Sequence, residues 1–144
     1  MQEYNDNRIN DVVAYLSIMP KNRLVFDLND SLGMDCIDIG YQLASALTGM
    51  ESPSMLAINV INRLIYELKS FDDRIGYVIA FKNVGILFEP ALKINLEMLI
   101  DSVSKSVTLV ICSPGIVKND TFYFLNENTG ISIDLKGMSY YVIE

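Results

Sequence analysis

Two apolar runs in the second half of the chain determine the predicted architecture. Residues 78–81 (VIAF) are all apolar, and residues 107–112 (VTLVIC) are nearly so. A strand with one solvated face would alternate apolar and polar residues, so both runs are typical of strands buried on two faces of a parallel sheet. Between them Pro90 fits the first turn of a helix, and apolar residues recur at helical spacing at Leu92, Leu96, Leu99, Ile100 and Val103. This pattern predicts a unit of strand, crossover helix and strand, with ligand sites near the carboxyl ends of the strands.

The first half of the chain continues the same alternation of helices and strands. Residues 8–18 form an amphipathic pattern that ends before Pro20, residues 24–28 are typical of a short buried strand, and residues 29–33 have turn composition. A helix is expected next, capped by Asp35 and ending at Gly49. Residues 55–69 fit either one helix or a strand followed by a helix, and the alternation on both sides favours the second interpretation.

The pattern changes after Gly115. Short β segments at residues 121–125, 131–135 and 140–143 are separated by turns, which predicts a terminal hairpin and an edge strand. Together these patterns predict one domain, residues 1–144, of the α/β class, in which helices cover a mostly parallel sheet.

Composition places the chain among globular proteins. Of its 144 residues, 51% are hydrophobic, and the mean hydropathy is +0.28. The longest uncharged apolar runs are much shorter than a transmembrane helix, and no secretory signal is visible, so a soluble cytoplasmic protein without a membrane partner is expected. Cys36 and Cys112 are accordingly expected to be reduced thiols that pack in the core.

Charge and residue types exclude several classes of function. The net charge is −7, and the chain contains no histidine. An acidic chain lacks the electrostatic term that dominates DNA affinity, so direct binding to nucleic acid is not expected. Without histidine, serine–histidine and cysteine–histidine catalysis are excluded, and two cysteines alone do not form a zinc site of the usual type. No catalytic residue and no metal site is therefore predicted.

The turn after the first strand occupies the position of a phosphate-binding P-loop, whose pattern is G-x-x-x-x-G-K-[ST]. Aligning Gly33 with the second glycine places Leu28 at the first glycine, Met34 at the lysine and Asp35 at the hydroxyl residue. Only the second glycine fits, and no lysine or arginine occurs in residues 24–62. We interpret the acids of this region as helix caps and dipole partners rather than as a metal site. They are Asp27, Asp30, Asp35 and Asp38.

The strand that would carry the magnesium-binding acid of a P-loop ATPase, its Walker B strand, departs from the pattern as well. It ends at Phe81, Lys82 and Asn83, so a cation replaces the expected aspartate. Glu89 follows at a predicted helix start, where stabilisation of the helix dipole accounts for it without catalysis. The phosphate-binding lysine and the magnesium-binding acid of a P-loop ATPase are thus both absent from their expected positions.

A family resemblance rests on the order of these elements. Residues 86–115 (ILFEPALKINLEMLIDSVSKSVTLVICSPG), preceded by residues 78–85 (VIAFKNVG), resemble the small P-loop protein BrxF of type 3 BREX bacteriophage-exclusion systems. Residues 58–64 (INVINRL) are similar to the family's middle element, and the likeness spans roughly residues 9–115. The resemblance implies a P-loop NTPase-like three-layer α/β domain with a mostly parallel sheet and a C-terminal β-hairpin or edge strand.

The departures from the family pattern concern its catalytic residues. The family's P-loop lysine and hydroxyl fall on Met34 and Asp35, and its Walker B acid falls on Phe81 or Lys82. The resemblance therefore implies a scaffold with a degenerate nucleotide site and no cofactor, which serves as an assembly or regulatory subunit of a bacterial antiviral defence system. Its expected partners are proteins of a defence complex, and a homo-oligomer is compatible with that role.

Tyrosines near the terminus are the candidate contact surface of such a subunit, because tyrosine is favoured at interfaces. They also fit simple packing of the terminal strands, which is the slightly favoured interpretation. These residues are Tyr123, Tyr140 and Tyr141.

Two alternatives belong to other functional classes. The chain could be an ATPase with an atypical phosphate loop, binding ATP and magnesium, in which Lys21, Arg23 or Lys82 supplies the missing charge. It could also be an accessory subunit of a DNA-processing complex that contacts DNA only through a basic partner, since its own lysines are interspersed with acids. Nucleotide binding would favour the first alternative. The interspersed lysines are interpreted as a solvated surface, and salt-dependent retention of the isolated chain on DNA would overturn that interpretation.

Overall fold

The computed structural model describes residues 6–49 and 53–144. Within these residues the α-helices are α1 (Asp6–Ser17), α2 (Ile39–Leu47), α3 (Pro53–Leu68) and α4 (Leu96–Val103). The strands are β1 (Leu24–Asp27), β2 (Ile37–Asp38), β3 (Ser70–Asp72), β4 (Gly76–Lys82), β5 (Thr108–Cys112), β6 (Gly115–Lys118), β7 (Thr121–Phe124), β8 (Ser132–Asp134) and β9 (Tyr141–Ile143). Short 3₁₀ helices occupy Val84–Phe88 and Pro90–Leu92.

The main sheet is parallel across the order β2–β4–β5–β1–β9. β3 pairs antiparallel with the first half of β4, on the same edge whose second half pairs with β2. The predicted parallel pairing of the two apolar runs is confirmed, with Ile79 opposite Leu109. β9 lies beside β1 at the other edge, as predicted for the last strand. The chain is therefore a mixed α/β protein with a mostly parallel sheet.

Strands β1 and β5 are buried on both faces. Their alternate residues point to opposite sides of the sheet, and each side is packed against other parts of the core. On one face, Val25 of β1 and Val110 of β5 pack with Ile9 and its neighbours on α1. On the other face, Phe26 and Ile111 pack with the core that includes α2, α3 and α4. Because both faces are covered, no position of these strands faces solvent and none has to be polar, which explains their continuous apolar runs.

A second, antiparallel sheet joins β6, β7 and β8 in that order. It confirms the predicted terminal hairpin, formed by β7 and β8, and adds β6, which the sequence pattern did not indicate. Phe122 of β7 is fully buried and stacks on Phe26 of the main sheet, with 5.0 Å between ring centroids. This stacked pair connects the small sheet to the centre of the main core.

The prediction of a strand followed by a helix in residues 55–69 is wrong, because α3 is one helix from Pro53 to Leu68. Its buried residues recur at helical spacing, which a strand would not produce. They are Ala57, Val60, Ile61, Leu64 and Ile65. The helix faces the core with this stripe and exposes the other positions between Leu56 and Leu68.

The crossover between β4 and β5 also differs from the single helix that was predicted. Pro90 opens only a short 3₁₀ helix, and α4 begins after Asn95, whose side chain accepts a hydrogen bond from the amide of Met98. Lys93 between the two has φ of 51°, a left-handed conformation that interrupts helical hydrogen bonding. The predicted helical spacing from Leu96 onward is retained in α4.

Asn22 is a buried polar side chain that connects three segments at the amino end of the sheet. Its amide donates to the carboxylate of Asp101, at 2.9 Å, and to the hydroxyl of Ser104, at 3.1 Å. Its carbonyl oxygen accepts from the backbone amide of Ser139, at 3.0 Å. A single side chain thus ties the start of β1 to α4 and to the segment before β9.

Replacing Asn22 with alanine should lower the free energy of unfolding by about 1 to 3 kcal/mol, because buried donors and acceptors lose their partners. Urea denaturation of the two proteins measures this difference. The matched control is Asn62→Ala at an exposed position of α3, which should change stability by less than about 0.5 kcal/mol. Equal stability of the Asn22→Ala variant and the parent would contradict the role assigned to this side chain.

Candidate functional site

The candidate site lies at the carboxyl ends of β1 and β5, where Asp27 is the register partner of Cys112. After β1 the chain passes over the face of the sheet that α1 covers, since Leu32 and Met34 belong to that part of the core. After β5 it enters the small sheet, which packs on the opposite face through Phe122. Adjacent parallel strands with connections to opposite faces form a topological switch point, the usual place for a ligand crevice.

A cavity of about 440 Å³ opens at this edge of the sheet. Its polar lining comes from the ends of β2, β4 and β5, and its apolar lining comes from Val84, Pro114, Phe124 and Leu125. The residues that matter for its chemistry are Asp38, Lys82, Asn83, Cys112, Ser113 and Phe124. The lining thus offers one cation, one carboxylate and one thiol.

The carboxylate of Asp27 organises the loop that follows β1 and is itself fully buried. One oxygen accepts from the backbone amide of Ser31, at 2.9 Å, and from its hydroxyl, at 3.0 Å. The other oxygen accepts from the backbone amide of Leu32, at 2.9 Å. The loop therefore folds around the side-chain carboxylate of Asp27, which belongs to the protein itself.

This bonding has a direct consequence for phosphate binding. A P-loop binds phosphate with backbone amides that converge on the anion, assisted by a lysine. Here the amides of Ser31 and Leu32 converge on Asp27 instead. A phosphate at this position would have to displace the carboxylate and would be repelled by its charge.

The residues aligned with the P-loop pattern have structural roles, in core packing and in the turn of the loop. Leu28 and Met34 are buried, and Met34, at the lysine position, packs on the face of the sheet that α1 covers. Gly33 has φ of 70°, so it supplies a left-handed turn residue. Asp35 is exposed. None of these four side chains places a positive charge in the loop.

The predicted helix cap at Asp35 is wrong, because the N-cap of α2 is Asp38. Its carboxylate accepts from the backbone amide of Tyr41, at 2.8 Å, and from the side chain of Asn83, at 3.1 Å. These two bonds, with Lys82 nearby, hold the pKa of Asp38 below its ordinary value. Residues 37 and 38 first pair with β4 as strand β2, so the loop leads into a strand before the helix begins. That pairing with a distant strand overrides the local capping signal.

The three residues at the expected Walker B position have different environments. Phe81 is buried in the sheet, whereas Lys82 and Asn83 are exposed at the end of β4. Asn83 has φ of 60° and turns the chain out of the strand. No carboxylate occupies the end of this strand, so it offers no acid ligand for magnesium.

Of the three cations considered as substitutes for the P-loop lysine, only Lys82 lies at this edge of the sheet. Arg23 lies before β1 at the amino end, where its guanidinium donates to the carbonyl of Ile75. Lys21 also precedes β1, and its ammonium donates to the carbonyl of Gly137, at 2.8 Å. The alternative of an atypical ATPase therefore depends on Lys82.

The terminal tyrosines are half-buried, and two of them make packing contacts within the chain. Tyr140 meets the ring of Phe26 edge-on and donates its hydroxyl to Asp120, at 2.6 Å. Tyr141 stacks on Tyr15 of α1, with 5.6 Å between centroids. Tyr123 lies in the small sheet on β7. Their use as a contact surface stays a prediction.

A more exposed aromatic group lies at the β2–β3 edge of the sheet, and sequence reasoning missed it. Tyr66, Phe71 and Tyr77 expose 76%, 64% and 52% of their surface. The Lys69 ammonium lies 5.3 Å from the Tyr66 ring centroid and 4.7 Å from that of Tyr77. Phe71 and Tyr77 are register partners of the β3–β4 hairpin, with rings 5.3 Å apart. We call these four residues the aromatic edge patch.

The available signal for this patch was the short apolar and aromatic sequence on either side of the Asp73–Arg74 turn. The sequence pattern predicts no strand over residues 70–72, so the hairpin and its cross-strand pair were not recognised. The two cysteines were likewise assigned to packing, whereas the fold brings their sulphur atoms within 2.9 Å of each other. No local pattern indicates that contact, because 76 residues separate the two.

Comparison with known proteins identifies no relative, because no protein-family model, no curated protein and no solved structure matches the chain. Among the helices of the described residues, none has the length and apolar character needed to cross a membrane. Function must therefore be argued from the chemistry of the site.

Replacing Asp27 with asparagine should lower the free energy of unfolding by about 1 to 3 kcal/mol, because one of two acceptor oxygens becomes a donor facing an N–H or O–H group. Hydrogen exchange at the amides of Ser31 and Leu32 should accelerate at the same time. Asp35→Asn, at an exposed position of the same loop, is the matched control and should change stability by less than about 0.5 kcal/mol. Unchanged exchange at both amides in Asp27→Asn would contradict the assigned bonding.

Proposed function

We propose that the chain is a non-catalytic protein-interaction module on a P-loop-like α/β scaffold, acting as an assembly or regulatory subunit of a larger complex. The observation that carries the proposal is the bonding of Asp27, which accepts the loop amides that a phosphate would need. The resemblance to BrxF suggests that the complex belongs to an antiviral defence system.

The position of β1 supports a scaffold of this kind. β1 lies inside the parallel sheet between β5 and β9, and the loop that leaves it stands at the switch point. A P-loop has the same setting, a strand followed by a tight anion-binding loop. In this chain the setting is kept, while Asp27 replaces the bound anion and Met34 replaces the lysine by an apolar anchor.

The aromatic edge patch is the surface we assign to the partner. Aromatic side chains are enriched at interfaces because they bury a large area with little loss of conformational entropy. Tyr66, Phe71 and Tyr77 are more than half exposed. Lys69 contacts the rings of Tyr66 and Tyr77, and Phe71 packs edge-on against Tyr77, so the three rings form one patch. A protein that covers these rings would remove a substantial apolar area from water.

The strand beneath the patch suggests how a partner would bind. β3 is a short edge strand, and among the described residues its one sheet neighbour is β4. An unpaired edge presents backbone donors and acceptors that can accept an added strand from another chain. We therefore propose a protein partner that adds an extended segment at β3 and covers Phe71 and Tyr66.

Titration with ATP and magnesium should produce no heat of binding and no rise in unfolding temperature. A ligand at about a hundred times its dissociation constant would stabilise the fold by roughly 2.7 kcal/mol, so a real site would be visible. Binding by the parent chain that is lost in Lys82→Ala would contradict the proposal and support the atypical ATPase.

Changing the aromatic edge patch should abolish partner binding without unfolding the chain. The variant is Tyr66→Ser combined with Phe71→Ser, two positions that are exposed. Proteins that co-purify with the parent from cells that naturally express it would be quantified by mass spectrometry, and we expect at least a tenfold loss in the variant. A loss of that size corresponds to about 1.4 kcal/mol of binding free energy.

The matched control for this experiment is Met98→Ser, an exposed apolar residue on α4 outside the patch. Its co-purifying proteins should equal those of the parent, and circular dichroism should show that all three chains are folded. Equal recovery with the patch variant would overturn the assignment of the patch.

A further inference from the structure

Cys36 and Cys112 lie in contact although 76 residues separate them. Cys112 ends β5 and is buried, whereas Cys36 is half-buried in the loop that crosses from β1 to β2. Their sulphur atoms are 2.9 Å apart. We propose that these two residues are a redox-active dithiol, which a peroxide converts to an intramolecular disulfide; this goes beyond the proposed function and does not depend on it.

The distance between the sulphur atoms favours a disulfide over a metal site. Two thiolates on a tetrahedral zinc ion, each about 2.3 Å from the metal, would lie roughly 3.7 Å apart. The sulphur atoms are 2.9 Å apart, closer than a shared tetrahedral zinc ion would hold them. They are in direct contact, as the formation of a disulfide bond requires. Asp30 brings a third ligand atom within 4.8 Å of both sulphurs, but its exposed carboxylate leaves the set one ligand short of a closed zinc site.

The environments of the two thiols assign different roles to them. The hydrogen bond with Cys112 lowers the pKa of Cys36, with a smaller contribution from Lys82, and it outweighs the opposing effects of burial and of Asp30. The same bond and the deeper burial of Cys112 raise the pKa of that thiol. Cys36 is also the more accessible of the two residues, so its thiolate reacts first and Cys112 is the resolving thiol.

The reaction proceeds in two balanced steps. The thiolate of Cys36 attacks one oxygen of hydrogen peroxide, the O–O bond breaks, and the leaving hydroxide takes a proton to become water. Cys36 is then a sulfenic acid. Cys112 loses its proton, its sulphur attacks that of Cys36, and the displaced hydroxide takes that proton to leave as a second water. Two thiols are oxidised by two electrons, and the peroxide is reduced by two.

The disulfide would act on the site described above. It would fasten the loop of Asp27 to the end of β5 and close one side of the cavity that Cys112 lines. A thiol reductant would release the loop again. Oxidation would therefore change the mobility of the carboxyl edge while leaving the sheet intact.

The test uses the full chain treated with hydrogen peroxide, then with an alkylating agent, and weighed by intact-mass spectrometry. We expect the loss of two hydrogen atoms, no alkylation and a higher unfolding temperature, all reversed by dithiothreitol. Cys112→Ser should stop at a sulfenic acid that dimedone traps. Cys36→Ser should react at least tenfold more slowly, because its remaining thiol is buried.

The matched control is Asp30→Ala, which should form the disulfide as the parent does. Two thiols that remain alkylatable in the folded, peroxide-treated parent would overturn the proposal. It would also be overturned if Zn²⁺ bound to the reduced parent with one ion per chain, blocked oxidation and required Asp30. The mass measurement on the parent needs no variant, so a variant that fails to fold leaves the test decisive.

Discussion

The carboxylate of Asp27 is the constraint on which the carboxyl edge of the sheet depends. It is fully buried at the end of a central strand, and a buried charge must be hydrogen-bonded to persist. The amides of Ser31 and Leu32 meet that requirement, which makes the loop turn back over the strand end. The loop then buries Met34 beside α1 and reaches the far edge of the sheet as β2.

The same bonding decides what this edge can do chemically. A loop that binds phosphate keeps its amides available for a ligand, whereas this loop uses them on its own carboxylate. Lys82 is the cation of the cavity, and it lies beside Asp38, which balances its charge. The function we propose follows: the scaffold serves contact with other proteins through its aromatic edge patch, and the switch point retains a structural role.

The parallel core could be predicted because strands buried on both faces lose their polar alternation, as residues 78–81 and 107–112 do. The lack of a positive charge in the loop after β1 could be predicted because residues 24–62 contain no lysine or arginine. β2 could not be predicted, since a two-residue strand has no period and exists only by pairing with β4. The contact of Cys36 with Cys112 depends on the path of the Asp27 loop, which no local pattern encodes. The strand predicted at the start of residues 55–69 was wrong. It was inferred from the alternation of neighbouring elements, although the apolar residues of this segment themselves recur at helical spacing.

The most direct test of the account observes the loop amides themselves while nucleotide is added. Backbone amide resonances of Ser31 and Leu32 would be followed by NMR during titration with ATP and magnesium to millimolar concentration. The account predicts that neither resonance shifts, because both amides are already bonded to Asp27. Saturable shifts at these two amides would show that phosphate displaces the carboxylate, and they would contradict the central claim.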